Sequence, residues 1–286
     1  MAQSGFVQRE IAPVRPFVPD ASQARVLALQ ADQSAVVLGA PGTGKTALLT
    51  ELVAARVAAG TNPDNIVVLS PNRVAASRLR NSLGLRLGIA TNGALARTPG
   101  SLAFALAQEH ALAAGQAAPR MLTGSEQDSI IAELLLGHIE DGTGPAWPDP
   151  LVPEVRQRRA FRSELRDLFA RSTEMGWTPV DLRSQGETRE HPEWVAASQF
   201  WSEYREVIAG FRTESFDSSE ILAIGANALA NSAVMPNVEL VLVDDAQELT
   251  YGAVRMLQAF ARRGVPVVVF GDPDITSTTF RGAVPN

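Results

Sequence analysis

Residues 39–46 read Gly39-Ala40-Pro41-Gly42-Thr43-Gly44-Lys45-Thr46, and no other stretch constrains the fold of this chain as tightly. The pattern follows a short apolar run, Ala35-Val36-Val37-Leu38, and precedes a stretch of helical character at 47–58. Strand, loop, helix is the setting in which such a pattern wraps a phosphate. Glycines let successive backbone N–H groups curl round an anion without Cβ clashes, and the N-terminus of the next helix adds a favourable dipole. In that setting the Lys45 ammonium reaches the β- and γ-phosphates and the Thr46 hydroxyl meets Mg²⁺. The alternative is a Gly-rich turn between a strand and a helix, and the agreement of pattern with context speaks against it. The expected ligand is a nucleoside triphosphate.

The flanking sequence continues the alternation. Apolar runs at 35–38 and 66–70 are followed by helical patterns at 47–58 and 74–83, with a further helix at 101–113. This order predicts an α/β fold with a doubly wound parallel sheet. Over residues 125–215 the strand-like runs disappear. Helical patterns at 126–138, 154–175 and 193–211 are separated by breaks such as Gly142-Thr143-Gly144-Pro145. The α/β pattern then returns with a helix at 219–231, a buried strand at 238–243, a helix at 252–262 and a buried strand at 266–270. Residues 271–286 read as a loop. The expected organisation is an N-terminal extension over 1–19, an α/β domain over 20–124 and 216–286, and an all-helical subdomain inserted at 125–215.

Composition narrows the function classes. The 286 residues are 45% hydrophobic, enough for a substantial core, and contain no cysteine. Disulfides, thiolate metal sites and cysteine nucleophiles are thereby excluded. The histidines, His110, His138 and His191, lie far apart and show no metal-ligand spacing. A net charge of −6 argues against coating nucleic acid through a global basic surface, while leaving room for a local groove of Arg and Lys. The first twenty residues lack the basic start and apolar run of a signal peptide. No stretch of about 18 apolar residues is free of polar breaks, so no membrane span is expected and the expected location is the cytoplasm.

The second half of the site is expected after the apolar run Val238-Glu239-Leu240-Val241-Leu242-Val243, which ends in Asp244-Asp245. Ligands of open α/β sheets bind at the carboxyl ends of the strands, beside the phosphate loop. Asp244 is expected to hold Mg²⁺, and Asp245 to orient or deprotonate an attacking water. The alternative is a strand running into an Asp-rich turn. Val267-Val268-Val269-Phe270 likewise delivers Gly271-Asp272-Pro273-Asp274 to the same edge.

The order of these segments resembles the UvrD/Rep-type DNA helicases of superfamily 1. Gln23 is similar to that family's adenine-reading glutamine, a side chain that both donates and accepts. Ser70-Pro71-Asn72-Arg73-Val74-Ala75-Ala76 resembles its T-x-x-N-x-x-A-A segment, and Thr98-Pro99-Gly100-Ser101-Leu102-Ala103 its T-x-H-S-x-A segment. Asp244-Asp245-Ala246-Gln247 resembles D-E-x-Q. Gly271-Asp272-Pro273-Asp274, with Phe280-Arg281-Gly282-Ala283, resembles G-D-x-x-Q-S-I-Y-x-F-R-G-A. The resemblance spans about residues 20 to 283, and the shared order is its strongest part. It implies a RecA-like P-loop domain, 1A, carrying a helical 1B insertion, and ATP with Mg²⁺ as cofactors. It implies single-stranded DNA and duplex junctions as partners, and a second RecA-like domain in cis or in a partner subunit. The Asp-Asp-Ala-Gln variant and the alanine-rich character look most like one subunit of the AdnAB type of helicase–nuclease. Carried over residue by residue, Asn72, Thr98 and Ser101 contact the DNA backbone and Phe280 stacks on a base, worth roughly 1–3 kcal/mol. Arg281 links nucleotide state to the DNA groove, and Gln247 lies between the acid pair and the moving parts. The alternatives are a helix N-cap for Asn72, a core aromatic for Phe280 and a solvated arginine for Arg281.

The chain departs from the family pattern at Asp245, Ile275 and Thr278, where Glu, Gln and Tyr are usual. No second RecA-like domain, with its arginine finger, follows in this sequence. These departures imply nucleotide binding with little hydrolysis by this chain alone. In the insertion, Arg158, Arg162 and Arg166 fall on one face of the expected helix at 154–175, with Phe161, Leu165 and Leu168 on an apolar stripe. The face reads either as a phosphate contact with duplex DNA or as a solvated surface with intrahelical pairs. Trp194, Trp201 and Tyr204 have helical spacing and read as core.

Overall fold

The computed structural model of the protein describes residues 16–88, 93–211, 214–231 and 237–274. Helix α1 (Ala21–Leu27) leads into strand β1 (Ala35–Leu38), the glycine loop, α2 (Lys45–Ala58), β2 (Ile66–Leu69), α3 (Arg73–Leu87), β3 (Ala96–Arg97) and α4 (Pro99–Ala113). A short strand β4 (Arg120–Met121) precedes the helices α5 (Gly124–Asp141), α6 (Pro153–Arg156), α7 (Arg159–Glu174), α8 (Pro179–Thr188) and α9 (Pro192–Ala209), and β5 (Ser215–Phe216) follows them. The chain returns through α10 (Ser218–Asn231), β6 (Leu240–Val243), α11 (Tyr251–Arg262) and β7 (Val267–Gly271).

The five-stranded sheet has the order β1-β7-β6-β2-β3, and every pair is parallel. Its strands are β-branched and leucine-rich because both faces are covered, as parallel sheets require. Along β2, Ile66 and Val68 face a core built with Leu49, Leu52 and Leu83 of α2 and α3. Leu69 faces the opposite core, with Leu106, Ile221 and Phe260 of α4, α10 and α11. The central strand β6 is buried along its whole length. The α4–α10 contact is close enough that a Cβ at Gly225 would lie 2.7 Å from Ala103. Parallel strands connected by right-handed crossovers bring all their C-terminal ends to one edge. The loops after β1, β2, β3, β6 and β7 therefore share that edge.

The expected fold class holds: a mixed α/β domain on a parallel sheet, with an all-helical excursion. β4 and β5 pair in parallel, Arg120 opposite Ser215 and Met121 opposite Phe216, which draws together the two ends of that excursion. Its core contains Ile131, Leu135, Phe161, Leu165, Phe169, Phe200, Trp201 and Tyr204. Phe169 stacks on Trp201 with ring centroids 5.3 Å apart. Trp194, expected in the same core, is half-buried, packed against its edge and stacked on His191.

One expected helix is two. The stretch 154–175 breaks between α6 and α7, and Arg158 is the extended N-cap of α7, with φ −71° and ψ 143°. The cause is visible at Arg162, whose guanidinium donates to the Gln157 carbonyl at 2.6 Å and so satisfies a group the helix would otherwise have used. Arg158 consequently shares no helical face with Arg162 and Arg166. Those two are also engaged: Arg162 makes a two-pronged pair with Asp128 at 3.0 Å, and Arg166 donates to the Gly124 carbonyl at 2.6 Å. Helix α8 was not expected. Its signal was Thr178-Pro179-Val180-Asp181, a capping box with proline in the first turn.

Candidate nucleotide-binding site

The glycine loop has the backbone its sequence calls for. Gly42 and Gly44 lie in the left-handed region, φ +80° and +85°, where a side chain would be strained. A Cβ at Gly39 would lie 2.7 Å from Thr43 Oγ1. Gly44 caps α2 without a side-chain bond, so the first N–H groups of a fourteen-residue helix are left to an anion. Lys45 Nζ donates to the carbonyls of Gly39 at 2.5 Å and Ala40 at 3.0 Å, and Thr43 Oγ1 donates to Ala40 at 2.8 Å. The lysine thus lies across the loop, at the place where phosphate oxygens are held in such a setting. Pro41 sits at the turn of the same loop.

The acid expected opposite the loop is there. Thr46 Oγ1 donates to the Asp244 carboxylate, 2.9 Å from Oδ2 and 3.2 Å from Oδ1, joining residues far apart in sequence. Asp244 is only 4% exposed. Burial, and next the charge of Asp245, push its carboxyl above the ordinary aspartate range, against the opposing pull of Thr46 and Lys45. A buried carboxylate held in this state is stabilised by a cation, and hard oxygen donors suit Mg²⁺. Among the described residues no group of three or more His, Asp or Glu gathers as a closed metal cage. Mg²⁺ takes one or two protein oxygens and fills its shell with phosphate and water.

Asp245 follows in a left-handed conformation, φ 48° and ψ 50°, one of two described non-glycine residues with positive φ. Gln247, in the 3₁₀ turn after it, spans two strands. Its Oε1 accepts from the Asp272 N–H at 3.0 Å, and its Nε2 lies 3.5 Å from Asp245 Oδ1. Asp272 is 5% exposed and its Oδ2 has no hydrogen-bond partner among the described residues. Ser70, at the end of β2, is fully buried and its Oγ is likewise unpartnered. Sequence reading gave Ser70 no role of its own. Its signals were a hydroxyl directly after an apolar strand, at the edge where ligands bind, and its place at the Thr of the T-x-x-N-x-x-A-A segment.

Gln23 is placed beside the loop but is engaged by protein. Its Oε1 accepts from the Asp20 N–H at 3.0 Å, completing the capping box of α1, and its Nε2 donates to the Thr43 carbonyl at 3.2 Å. An adenine would have to replace these bonds. A cavity of about 480 Å³ lies here, lined by Gln23, Val26, Leu29, Lys45 and β1, on the side of the loop away from Asp244. Asn72 and Thr98 occupy the same sheet edge after β2 and β3. Each is a helix N-cap: Asn72 Oδ1 accepts from the Ala75 N–H at 2.9 Å, and Thr98 Oγ1 from the Ser101 N–H at 3.2 Å. Ser101 is exposed in the first turn of α4. Ile275, Thr278, Phe280 and Arg281 lie outside the described residues.

A parallel sheet with a glycine loop after β1 and a buried acid after the central strand β6 defines a RecA-like P-loop domain, here with a helical insertion. Within that class the chain matches the UvrD/REP helicase N-terminal domain over residues 20–286 and belongs to that family. No individual curated protein matches it. The family implies an ATP-hydrolysing DNA helicase.

Proposed function

We propose that this chain is the ATP-binding 1A domain, with its helical 1B insertion at 125–215, of a DNA translocase acting in repair or recombination. It works with a second RecA-like domain supplied by the same polypeptide or by a partner subunit. The observation that carries the reading is the Thr46–Asp244 contact, which joins the two halves of a nucleotide site across the sheet. Loop N–H groups and Lys45 bind the triphosphate, Lys45 leaving the Gly39 and Ala40 carbonyls to do so. Thr46 and Asp244 would hold Mg²⁺, which when bound neutralises phosphate charge. Asp245 orients the attacking water and takes its proton. Gln23 exchanges its bonds to Asp20 and Thr43 for the adenine edge. Gln247, bonded to the Asp272 backbone and close to Asp245, passes changes at the acid pair to β7.

DNA follows the edge past Asn72, Thr98 and Ser101, with Phe280 and Arg281 on the segment after β7. Capping occupies Asn72 Oδ1, so a phosphate contact uses its Nδ2 donor. Helix α3, which begins beside Asn72, offers Arg73 and Arg78 on its exposed surface, while Arg80 donates to the Ala96 carbonyl and Arg86 is paired with Glu51. That local charge favours a phosphate backbone despite the acidic whole. The AdnAB type remains the nearest pattern for the Asp-Asp-Ala-Gln variant.

ATP hydrolysis by the natural gene product, with and without single-stranded DNA, tests the reading. Stimulation by DNA is expected, and turnover indifferent to DNA would sink the motor assignment. Asp245 favours a second reading, a non-motor subunit that binds ATP and DNA. Its side chain is one methylene shorter than the usual Glu, and a misplacement of about 1 Å costs about a hundredfold in rate. Asp245→Glu combined with Ile275→Gln should raise turnover under that reading and leave it unchanged or lower under the first.

A further inference from the structure

The helical insert touches the α/β domain not only at the β4–β5 pair. The C-terminal end of α7 comes up against α10 and the first turn of α11, and the approach is tight. A Cβ at Gly252, in that first turn, would lie 3.4 Å from Glu174 Cγ and 3.3 Å from Leu222 Cβ of α10. Glu174, the last residue of α7, accepts hydrogen bonds from the Thr250 hydroxyl and the Gly252 N–H. Thr250 is the N-cap of α11, and its Oγ1 accepts in turn from the Ala253 N–H at 3.5 Å. A carboxylate placed there also meets the favourable end of the helix dipole. The converse contact lies at the end of α7, where a Cβ at Gly176 would stand 3.6 Å from Arg255 Nη1. The open carbonyls of a helix end suit such a cation. Burial pushes the Glu174 carboxyl up, and the Thr250 hydroxyl, Arg171 and the Gly252 N–H pull it back against Asp217.

The clamped segment runs directly into the nucleotide site. Thr250 follows the buried Leu249, whose N–H closes the 3₁₀ turn of Gln247 on the Ala246 carbonyl at 3.1 Å. The Glu248 N–H donates to the Asp245 carbonyl at 2.9 Å. At the other end of the segment the Asp244 N–H donates to the Leu69 carbonyl of β2 at 2.9 Å. Between these anchors Asp245 keeps its left-handed backbone. A non-glycine residue persists there only where its surroundings over-determine it. One anchor is the parallel sheet, and the other is a side chain of the insert.

We propose that Glu174 is a positioning residue through which the helical insert sets the segment carrying Asp245 and Gln247. It acts through Thr250 and Gly252 rather than on the nucleotide. A displacement of the insert moves the carboxylate, and the N-cap of α11 and the turn before it follow. The proposal rests on the reading of this chain as a DNA-driven ATPase, since it gives a movement of the insert a route to the acid that orients water.

The test compares Glu174→Ala and Glu174→Gln in the natural gene product, below the Tm of each. With saturating single-stranded DNA, Glu174→Ala should lower kcat for ATP hydrolysis about tenfold and leave KM for ATP within about twofold. Glu174→Gln keeps an acceptor for Thr250 and Gly252 and should restore most of kcat. An unchanged kcat, or an effect confined to KM, overturns the proposal. A second measurement needs no nucleotide: amide exchange over residues 246–253 should be about tenfold faster in Glu174→Ala than in the wild type. Equal exchange overturns the proposal by itself. DNA stimulation of the wild type is read separately. Its absence would sink the motor reading, and the exchange comparison would still decide whether Glu174 holds the segment.

Discussion

Asp128 in the helical insert and Asp244 at the sheet edge are both aspartates on packed elements, yet their surroundings act on them in opposite senses. The guanidinium of Arg162, bound to Asp128 through two hydrogen bonds, holds that carboxyl below the ordinary range. Burial and the neighbouring Asp245 push Asp244 above it. In the insert, charge is settled internally: Arg183 pairs with Glu187 and Arg162 with Asp128. At the sheet edge two carboxylates, Asp244 and Asp245, stand side by side instead; buried atoms without partners occur in both regions, Ser70 Oγ and Asp272 Oδ2 at the edge and Trp147 Nε1 and the Tyr204 hydroxyl in the insert. A buried carboxyl pushed up beside a second one, as Asp244 is, marks a place that a bound cation would complete. The contrast separates the part of the chain that holds itself together from the part arranged for something else.

The largest expected effect is at Lys45. Lys45→Ala should lower DNA-stimulated phosphate release by about a hundredfold or more while leaving Tm nearly unchanged. Retained turnover would break the contrast at its centre. Arg162→Ala should do the reverse. Leaving Asp128 without its cation in a partly buried site costs about 2 kcal/mol, lowering Tm by about 4–8 °C, with nucleotide affinity unchanged. A matching loss of affinity in calorimetric titration would show that the insert and the site are not separable.

The pH response of Asp244 sharpens the comparison further. Because the folded state raises its pKa, the fold gains stability as pH falls through that value, whereas Mg²⁺ needs the ionised form. Mg²⁺–nucleotide affinity should therefore fall on acidification at a higher pH than an ordinary aspartate would give, by about tenfold per pH unit below the raised pKa. Asp244→Asn should remove the dependence along with most of the affinity, as followed by calorimetry across roughly pH 4–8.

Asp245→Gly relieves a positive φ and should raise Tm by about 2–3 °C while reducing hydrolysis, the pairing expected where strain serves a site. A drop in Tm would place the left-handed turn among ordinary structural features. The smallest effect is expected at Glu220, where α10 meets the insert. Burial, and then Asp217, push its carboxyl up to about 7. The native state then holds an extra proton between the ordinary Glu range and that value, so stability declines as pH rises through this window. Glu220→Gln should flatten Tm against pH over the same interval.

Much of this was legible in the sequence because it depends on neighbours along the chain. The glycine loop, the apolar strands and the periodic helices are local patterns, and β1 spans the very residues expected of it. Gly42 and Gly44 announce their backbone by lacking a Cβ. Helix limits were less legible, since Pro99 and Pro192 begin helices that periodicity alone starts later. The break before α7 was hidden because its cause, Arg162 reaching Gln157 and Asp128, is a contact with another helix as well as with its own chain.

By itself, then, the sequence determined that an anion loop, an acid pair and a helical insertion share one α/β chain, because each is written in a short run of residues. Only the tertiary structure decided which of these meet. It brought Thr46 to Asp244, engaged Gln23 with the phosphate loop, and left Val36 and Leu38 open to solvent. Strand order and crossover hand set those distances, and neither is encoded in any single segment.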